Sequence, residues 1–458
     1  MTSTTYGESM TERSRSARGW ALAVSIVAIV AFFGYVIWAN TRWANPQYVF
    51  LVAFFTLFAI LTGMFMISGL RWRSFTHLAP AEGRILAIVP VFQEDSRIVH
   101  EVVWSLIRQT RPPDAIYVVD DGSDDPVIPF EHPLVTWVRQ ENAGKRHAQA
   151  NVLRRYRRTD WDFIFTVDSD SVLDLDALEH LLRSMSWMGR RGKRVQAATG
   201  MIYTRNWRQN LITRMTDVNI ASSCLQFASL RSWFGVQTPT SGAIALYRPH
   251  VVYNNLDDYL TSGNVGDDRR LSFYALLYGP VVRVNEAVVE THLPHTPKGL
   301  VKQRMRWSKS AFLGAPFVAT NFRNPLILFF YFYPLVFAVV WPLSVAILAA
   351  IWAMYDIPAL LYGVAFWWIV SAAMTTVYAA YRPSFTMQDR LTQWGLGLVF
   401  YPLFGLLFLR PAVYWAIATV QNDTWSTRST TAQPLDIEPD TEDSSVGRVI
   451  ALQRKDVA

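Results

Sequence analysis

Two uncharged apolar runs stand near the start of the chain, residues 20–39 (WALAVSIVAIVAFFGYVIWA) and 48–70 (YVFLVAFFTLFAILTGMFMISGL). Each reaches the roughly 20 residues that a helix needs to cross a hydrocarbon layer, so each predicts a membrane span. The first is too long for the apolar part of a signal peptide and lacks a clear small-residue cleavage site, which predicts that it is retained. Apolar character returns at residues 325–354 and 358–381, joined by YDIP, and again at 394–420, where Pro402, Arg410 and Pro411 interrupt it. The middle, residues 79–321, has a different rhythm: short β-rich runs (RILAIVPVF, DAIYVVDDGS, DFIFTVDSDS) are each followed by an amphipathic or polar stretch. That alternation predicts a wound α/β sheet, which places ligands beyond the carboxyl ends of its strands.

Charge orients the spans. Arg13, Arg15 and Arg18 precede the first run and Arg71 and Arg73 follow the second, while their connection carries only Arg42. The excess of arginine predicts that both ends of the hairpin, and hence the polar middle, face the cytosol, with Arg382 and Arg390 marking a later cytosolic return. Composition agrees with a membrane component: 51% of the 458 residues are hydrophobic and only 17% charged. The formal charge of +7 is accounted for by an anionic membrane surface and a phosphorylated substrate, without nucleic acid. Cys224 is the only cysteine, which excludes an intramolecular disulfide or a cysteine-rich zinc site and predicts a packed helix residue.

The carboxylates gather at predicted strand ends. Asp168 and Asp170 in VDSDS lie two apart after FIFT, a spacing that can turn both toward one divalent metal. Asp120 and Asp121 in VVDDGS also suit a plain strand-to-helix turn. Lys145 and Arg146 in NAGKRHAQA open a helical pattern, where cations and a helix N-terminus favour phosphate, or else form a solvated basic face. His147 has no partner histidine at ligand spacing and reads as polar or structural. Asp267 and Asp268 in SGNVGDDRRLS suit either an N-cap or a catalytic base. In LVKQRMRWSKSAF, Trp307 and its arginines suit an interfacial anchor.

Taken in order, PVFQED, VVDDGS, GKRHAQ, VDSDS, SGAIALYR, GDDRRLS, QRMRWSKS and TWSTR resemble the processive, membrane-integrated family-2 glycosyltransferases. The likeness runs over about residues 85–428 and is strongest to hyaluronan synthases, then to chitin and chitooligosaccharide synthases. It implies a GT-A-type domain beneath a membrane channel that takes UDP-sugars, with Mg²⁺ or Mn²⁺, and extends and exports a β-linked polysaccharide. It also implies the site residues. Pro90, Glu94, Asp120, Asp121, Lys145, Gln303 and Arg306 fall at donor-binding positions, Asp121 resembling the uridine contact and Arg306 the diphosphate contact. Asp168 and Asp170 match the metal motif, Asp268 with neighbouring Asp267 the general base, and Trp307 the acceptor platform. Trp425, Thr427 and Arg428 resemble a gating loop that closes over the donor.

The resulting plan is a cytosolic N-terminus (1–19), a transmembrane hairpin (20–70), a GT-A domain (79–298), an interfacial helix carrying QxxRW (299–322), two spans (325–381), an interfacial or re-entrant segment (394–420), the gating loop (421–430) and a disordered tail (431–458). The protein is expected to be multi-pass in the plasma membrane, with the lipid bilayer and the growing polymer as partners. Many hyaluronan synthases continue with further spans after the gating motif, whereas only a polar tail follows here, so short products or a homo-oligomer are expected alternatives to a complete monomeric export path. SGAIALYR also lacks the cysteine that often precedes this motif in relatives. The runner-up is a chitin-type enzyme using UDP-GlcNAc alone. A single transfer to a polyprenyl phosphate fits less well, because QRMRW and TWSTR belong to chain-elongating relatives. A transporter or scaffold, the reading of another class, would lack the catalytic acids, and all of them are present.

Overall fold

The computed structural model describes residues 71–421, apart from 190–191, 264–265 and 356–358, together with the isolated positions 27, 31, 34, 38, 63, 64 and 67. The expected N-terminal stretch, most of the first hairpin, the gating motif and the tail lie outside the described residues.

Among the described residues eight strands form one mixed sheet: β1 (Ile85–Val91), β2 (Ala115–Asp121), β3 (Val135–Gln140), β4 (Phe163–Thr166), β5 (Ser171–Leu173), β6 (Ala197–Thr204), β7 (Ala245–Tyr247) and β8 (Val281–Thr291), in the order β3-β2-β1-β4-β7-β6-β8-β5. Neighbours from β3 to β4 run parallel, while β7 is antiparallel to both β4 and β6, and β5 is antiparallel to β8. The soluble helices are α1 (Ser96–Ile107), α2 (Lys145–Leu153), α3 (Ala177–Met185), α4 (Leu211–Ser223), α5 (Ser229–Phe234), α6 (Pro249–Tyr253), α7 (Leu256–Thr261) and α8 (Asp267–Tyr278). The apolar sequences then form α9 (Pro297–Asn321), α10 (Pro325–Tyr355), α11 (Ala359–Tyr381), α12 (Met387–Phe404) and α13 (Arg410–Ala418).

The sheet is covered on both sides around β1, which is apolar and buried at every position, as a parallel strand between helices must be. Successive side chains of β1 alternate between the faces. Ile85, Ala87 and Val89 pack with Val99, Val102 and Leu106 of α1 and with Leu178 and Leu181 of α3. Leu86 and Ile88 pack with Ala148 and Val152 of α2 and with Leu271 and Phe273 of α8. Because β1, β2 and β4 are parallel, the segments that follow Val91, Asp121 and Thr166 emerge at one edge, and those segments are FQED, the turn after VVDD, and VDSDS.

Among the described residues, three helices are long and apolar enough to cross a membrane by length and composition: Pro325–Met354, Ala359–Tyr381 and Met387–Ala418. The last is one continuous helical path, α12 and α13 being joined by a π-helical turn at Gly405–Leu409. It covers residues 394–418 as continuous helix, the segment for which the sequence predicts an interfacial or re-entrant element.

A third cluster ties these helices to the sheet domain, with Met201 of β6 and Val218 of α4 beside Val377 of α11 and Tyr401 of α12. Within it, Arg382 is fully buried, its Nε 3.1 Å from Asp217 Oδ2 and its Nη1 2.8 Å from Glu290 Oε1. Tyr378 donates to the same Asp217 oxygen at 2.5 Å, and Asp217 Oδ1 accepts the Thr204 amide at 2.6 Å. A buried charge is tolerated only with such partners. Cys224 is buried, in the π-helical turn between α4 and α5, as the sequence predicts.

Candidate active site

The site is assembled where strands end and helices begin. Asp168 follows β4 and is partly exposed, as is Asp170, while Ser169 between them is buried. The two carboxylates therefore share the open side of the segment. Asp168 Oδ1 accepts a hydrogen bond from Lys145 Nζ, the first residue of α2. The preceding Gly144 sits at φ 92, a left-handed conformation that favours glycine and lets the chain turn directly into the helix. Asp170 Oδ1 accepts from Thr291 Oγ1 at 3.1 Å and from Ser171 Oγ at 3.2 Å, which anchors it to the end of β8.

The acids of GDDRRLS open α8, with Gly266 as the N-cap residue and both carboxylates in the first turn. Neither aspartate is the N-cap, so the capping alternative falls away. Asp267 accepts from Arg146 Nε, while Arg146 Nη1 also donates to Tyr259 O at 2.9 Å and Ser262 Oγ at 2.8 Å. That fork fixes α8 to α2. Asp268 Oδ1 accepts the Arg269 amide at 2.7 Å, and its carbonyl accepts from Thr240 Oγ1 at 2.9 Å.

Electrostatics couple these groups. Burial pushes the Asp268 carboxyl above the usual aspartate range, and Arg269 and Lys145 only partly offset it. For Lys145 burial disfavours the charge, but Asp168, Asp267 and Asp268 outweigh it and raise its pKa, so the ammonium stays protonated. Lys145 therefore feels all three carboxylates, with Arg146 paired to Asp267 and Arg269 acting on Asp268 as well.

VVDDGS divides its acids between two tasks. Both Asp121 oxygens are engaged: Oδ1 accepts from Gln140 Nε2 at 2.7 Å and the Ala143 amide at 3.0 Å, and Oδ2 accepts the Gly144 amide at 2.7 Å. Asp121 thus holds the loop that presents Lys145. Asp120 Oδ1 accepts the Ser123 amide at 2.9 Å, whereas its buried Oδ2 has no hydrogen-bond partner and lies 4.0 Å from Arg139 Nε. Pro90 is buried inside β1, and Glu94 lies beyond the strand with Ser169 Oγ 3.5 Å from its Oε2. His147 is exposed.

Gln303, Arg306 and Trp307 stand at i, i+3 and i+4 on α9, a spacing that shares one helix face. Trp307 is 40% exposed, and the Arg304 guanidinium lies over its ring, 4.6 Å from the centroid. Gln303 Oε1 is buried without a hydrogen-bond partner. Trp425, Thr427 and Arg428 lie outside the described residues.

Two contributors escape sequence reasoning. Ser310 accepts the Gly266 amide at 2.8 Å and Arg269 Nε at 3.1 Å, pinning the start of α8 to α9. Gly242 backs directly onto the Lys145–Asp168 pair: a Cβ there would lie 2.7 Å from Asp168 Oδ2 and 3.1 Å from Lys145 Nζ. SGAIALYR signals the segment, but only the packing shows what its glycine does.

The donor set fits a divalent cation of the kind that takes hard oxygen ligands and shares them with phosphates: two partly exposed carboxylates, two residues apart. Among the described residues no three His, Cys, Asp or Glu side chains gather as a metal site, so such an ion would complete its shell with water and substrate oxygens.

A model of the family described as "Glycosyltransferase like family 2" matches residues 81–310. The hyaluronan synthase of Streptococcus pyogenes is 29% identical, over 76% of this chain and 84% of its own length. An N-acetylglucosaminyltransferase of Bradyrhizobium diazoefficiens is 27% identical, over 76% of this chain and 72% of its own. Another, from Azorhizobium caulinodans, is 30% identical over 51% and 61%. Among solved structures, the mannosyltransferase PcManGT from Pyrobaculum calidifontis, in complex with GDP-Man and Mn²⁺, is 17% identical with a TM-score of 0.45, covering 88% of this chain and 99% of that one.

Proposed function

Because this chain belongs to the glycosyltransferase-like family 2, and its mixed sheet is a GT-A-like domain followed by three apolar helices, we propose that it is a processive, inverting enzyme of the hyaluronan synthase type. It joins sugars from UDP-GlcNAc and UDP-glucuronate into a β-linked polymer and exports it across the plasma membrane, with the sheet domain in the cytosol. The observation that carries this reading is the convergence of Lys145, Asp168, Asp267 and Asp268 at one edge of the sheet.

In this reading Asp268 removes the proton of the acceptor hydroxyl. The freed oxygen attacks the anomeric carbon, the bond from that carbon to the diphosphate oxygen breaks, and UDP leaves with the bonding pair. Attack from the face opposite the leaving group converts an α-linked donor into a β-linked product. Asp168 and Asp170 would hold Mg²⁺ or Mn²⁺, which supplies charge neutralisation to the departing diphosphate. Lys145 and Arg306 bind the same phosphates. The free acceptor Asp120 Oδ2 faces the uracil N–H, with Asp121 shaping the loop. Trp307 stacks under the acceptor sugar.

Gly242→Ala is expected to lower sugar incorporation by about 10²-fold, the scale of a misplaced reacting group, with the thermal transition retained. The displaced atoms are those of the Lys145–Asp168 pair. Near-normal incorporation would separate that pair from catalysis.

The donor assignment is tested with purified full-length protein, Mg²⁺ or Mn²⁺, and labelled UDP-GlcNAc alone, UDP-glucuronate alone, or both. Polymer formed only with both donors and cleaved by hyaluronidase is expected. Chitinase-sensitive polymer from UDP-GlcNAc alone would replace this reading with the chitin-type one, which the N-acetylglucosaminyltransferase relatives favour.

A further inference from the structure

Asp168 follows β4 and Asp268 opens α8, yet one short loop, residues 238–244 before β7, touches both. Thr240 Oγ1 donates to the Asp268 carbonyl at 2.9 Å. Two residues later Gly242 lies against the Lys145–Asp168 pair, so close that a Cβ would meet Asp168 Oδ2 at 2.7 Å. Two residues of chain span at most about 7 Å even when extended, so the loop ties these two contacts together at close range.

The loop is itself held by the sheet. Thr240 and Tyr247 are buried, and their hydroxyl oxygens lie 2.6 Å apart. A threonine hydroxyl has one proton to give; Thr240 gives it to the Asp268 carbonyl, so the Tyr247 hydroxyl donates to Thr240. Tyr247 is fixed in turn by its pairing with Ile164 of β4 and Ala197 of β6. On the β6 side, the buried Thr199 Oγ1 accepts the Ser241 amide at 3.0 Å and donates to the Ile244 carbonyl at 2.8 Å. Hydroxyl groups of β6 and β7 thus place the loop, and the loop places Asp268.

We propose that loop 238–244 is a spacer that fixes the separation of Asp268 from Asp168, with Thr240 the positioning residue for Asp268 and Tyr247 the residue that orients Thr240. The inference rests on the sugar-transfer reading and deepens it. In an inverting displacement the acceptor oxygen enters opposite the departing diphosphate, so the base and the groups that hold the diphosphate must stand on either side of one carbon. Misplacing a reacting group by about 1 Å can cost about 10²-fold in rate. The start of α8 has no side-chain cap of its own. Ser310 pins Gly266 from α9, and Thr240 holds Asp268 from the sheet. Because Thr240 bonds the carbonyl, it leaves the carboxylate to take the proton.

The test compares full-length protein in lipid, with Mn²⁺ and both UDP-sugars, with Thr240→Val, Thr240→Ser and Tyr247→Phe. Valine keeps the shape of threonine and removes the hydroxyl. Thr240→Val is expected to lower kcat about 10–100-fold, with donor KM and UDP affinity close to those of the unaltered protein. Thr240→Ser, which keeps the hydroxyl, is expected to recover most of kcat. Tyr247→Phe should give a smaller loss, and the double variant Thr240→Val/Tyr247→Phe no loss beyond that of Thr240→Val, because both residues act through one chain of bonds. A hydroxyl that only satisfied buried polar atoms would lower the thermal transition and leave kcat of the folded protein unchanged, and that result overturns the proposal. So do equal losses in Thr240→Val and Thr240→Ser, or losses that multiply in the double variant. An unaltered protein that neither releases UDP nor incorporates sugar refutes the transfer reading and this proposal together, whereas an active protein indifferent to Thr240→Val refutes the spacer alone.

Discussion

Asp268→Asn is expected to lower sugar transfer by about 10²–10⁴-fold, the contribution of a positioned general base, while UDP affinity changes little. The asparagine keeps the shape of the side chain and its hydrogen bond from the Arg269 amide, so α8 has no reason to move. What it loses is the ability to take a proton. The same residue sets the acid limb of the pH profile. Burial holds its carboxyl above the usual aspartate range, so the base becomes protonated, and turnover falls, at a higher pH than for an exposed aspartate. The slope should be that of a single proton. An Asp268→Asn enzyme with near-normal turnover, or an acid limb at the position of an ordinary exposed aspartate, would remove the residue from that role.

Asp168→Asn should be comparably severe but fail at a different step. In the structure Asp168 is both the partner of Lys145 and one of two carboxylates suited to a hard cation. Replacing it removes a negative ligand and frees the ammonium. UDP binding should lose its dependence on Mg²⁺ or Mn²⁺, with an affinity loss at least as large as the about 10–100-fold that follows from removing a supporting group. Isothermal titration of UDP with and without the metal separates this from the Asp268 effect. If Asp168→Asn retains metal-dependent UDP binding, the carboxylates after β4 are turn residues and nothing more.

Much of the scaffold was legible because the relevant strands are long and apolar. RILAIVPVF, DAIYVVDDGS and DFIFTVDSDS predicted β1, β2 and β4, and parallel pairing put their carboxyl ends on one side. β5 and β7, three residues each, are too short for a period-two pattern to register, and they make the sheet mixed. The acids themselves stood out one by one, but each also had a local explanation. The link from Arg146 to Asp267 spans 121 residues and that from Gly266 to Ser310 spans 44, distances over which no local pattern carries information. The division of labour between Asp120 and Asp121 was equally hidden, since it depends on which oxygens the loop before α2 has already engaged. Arg382 has a second role that its sequence position does not show. Its position after an apolar run predicts a membrane boundary by the arginine rule, and the structure buries it against Asp217 and Glu290, where it joins the apolar helices to the sheet.

The cluster around Asp168, Lys145 and Asp268 is expected to act as one sugar-transfer site. Its most direct measurement follows UDP release and label incorporation together, in full-length protein reconstituted in lipid with Mn²⁺ and both UDP-sugars. One UDP is expected to be released for each sugar found in polymer, with both signals lost together in Asp268→Asn. Release and incorporation that persist unchanged in Asp268→Asn, or no release in the unaltered protein with either donor or both, would contradict it.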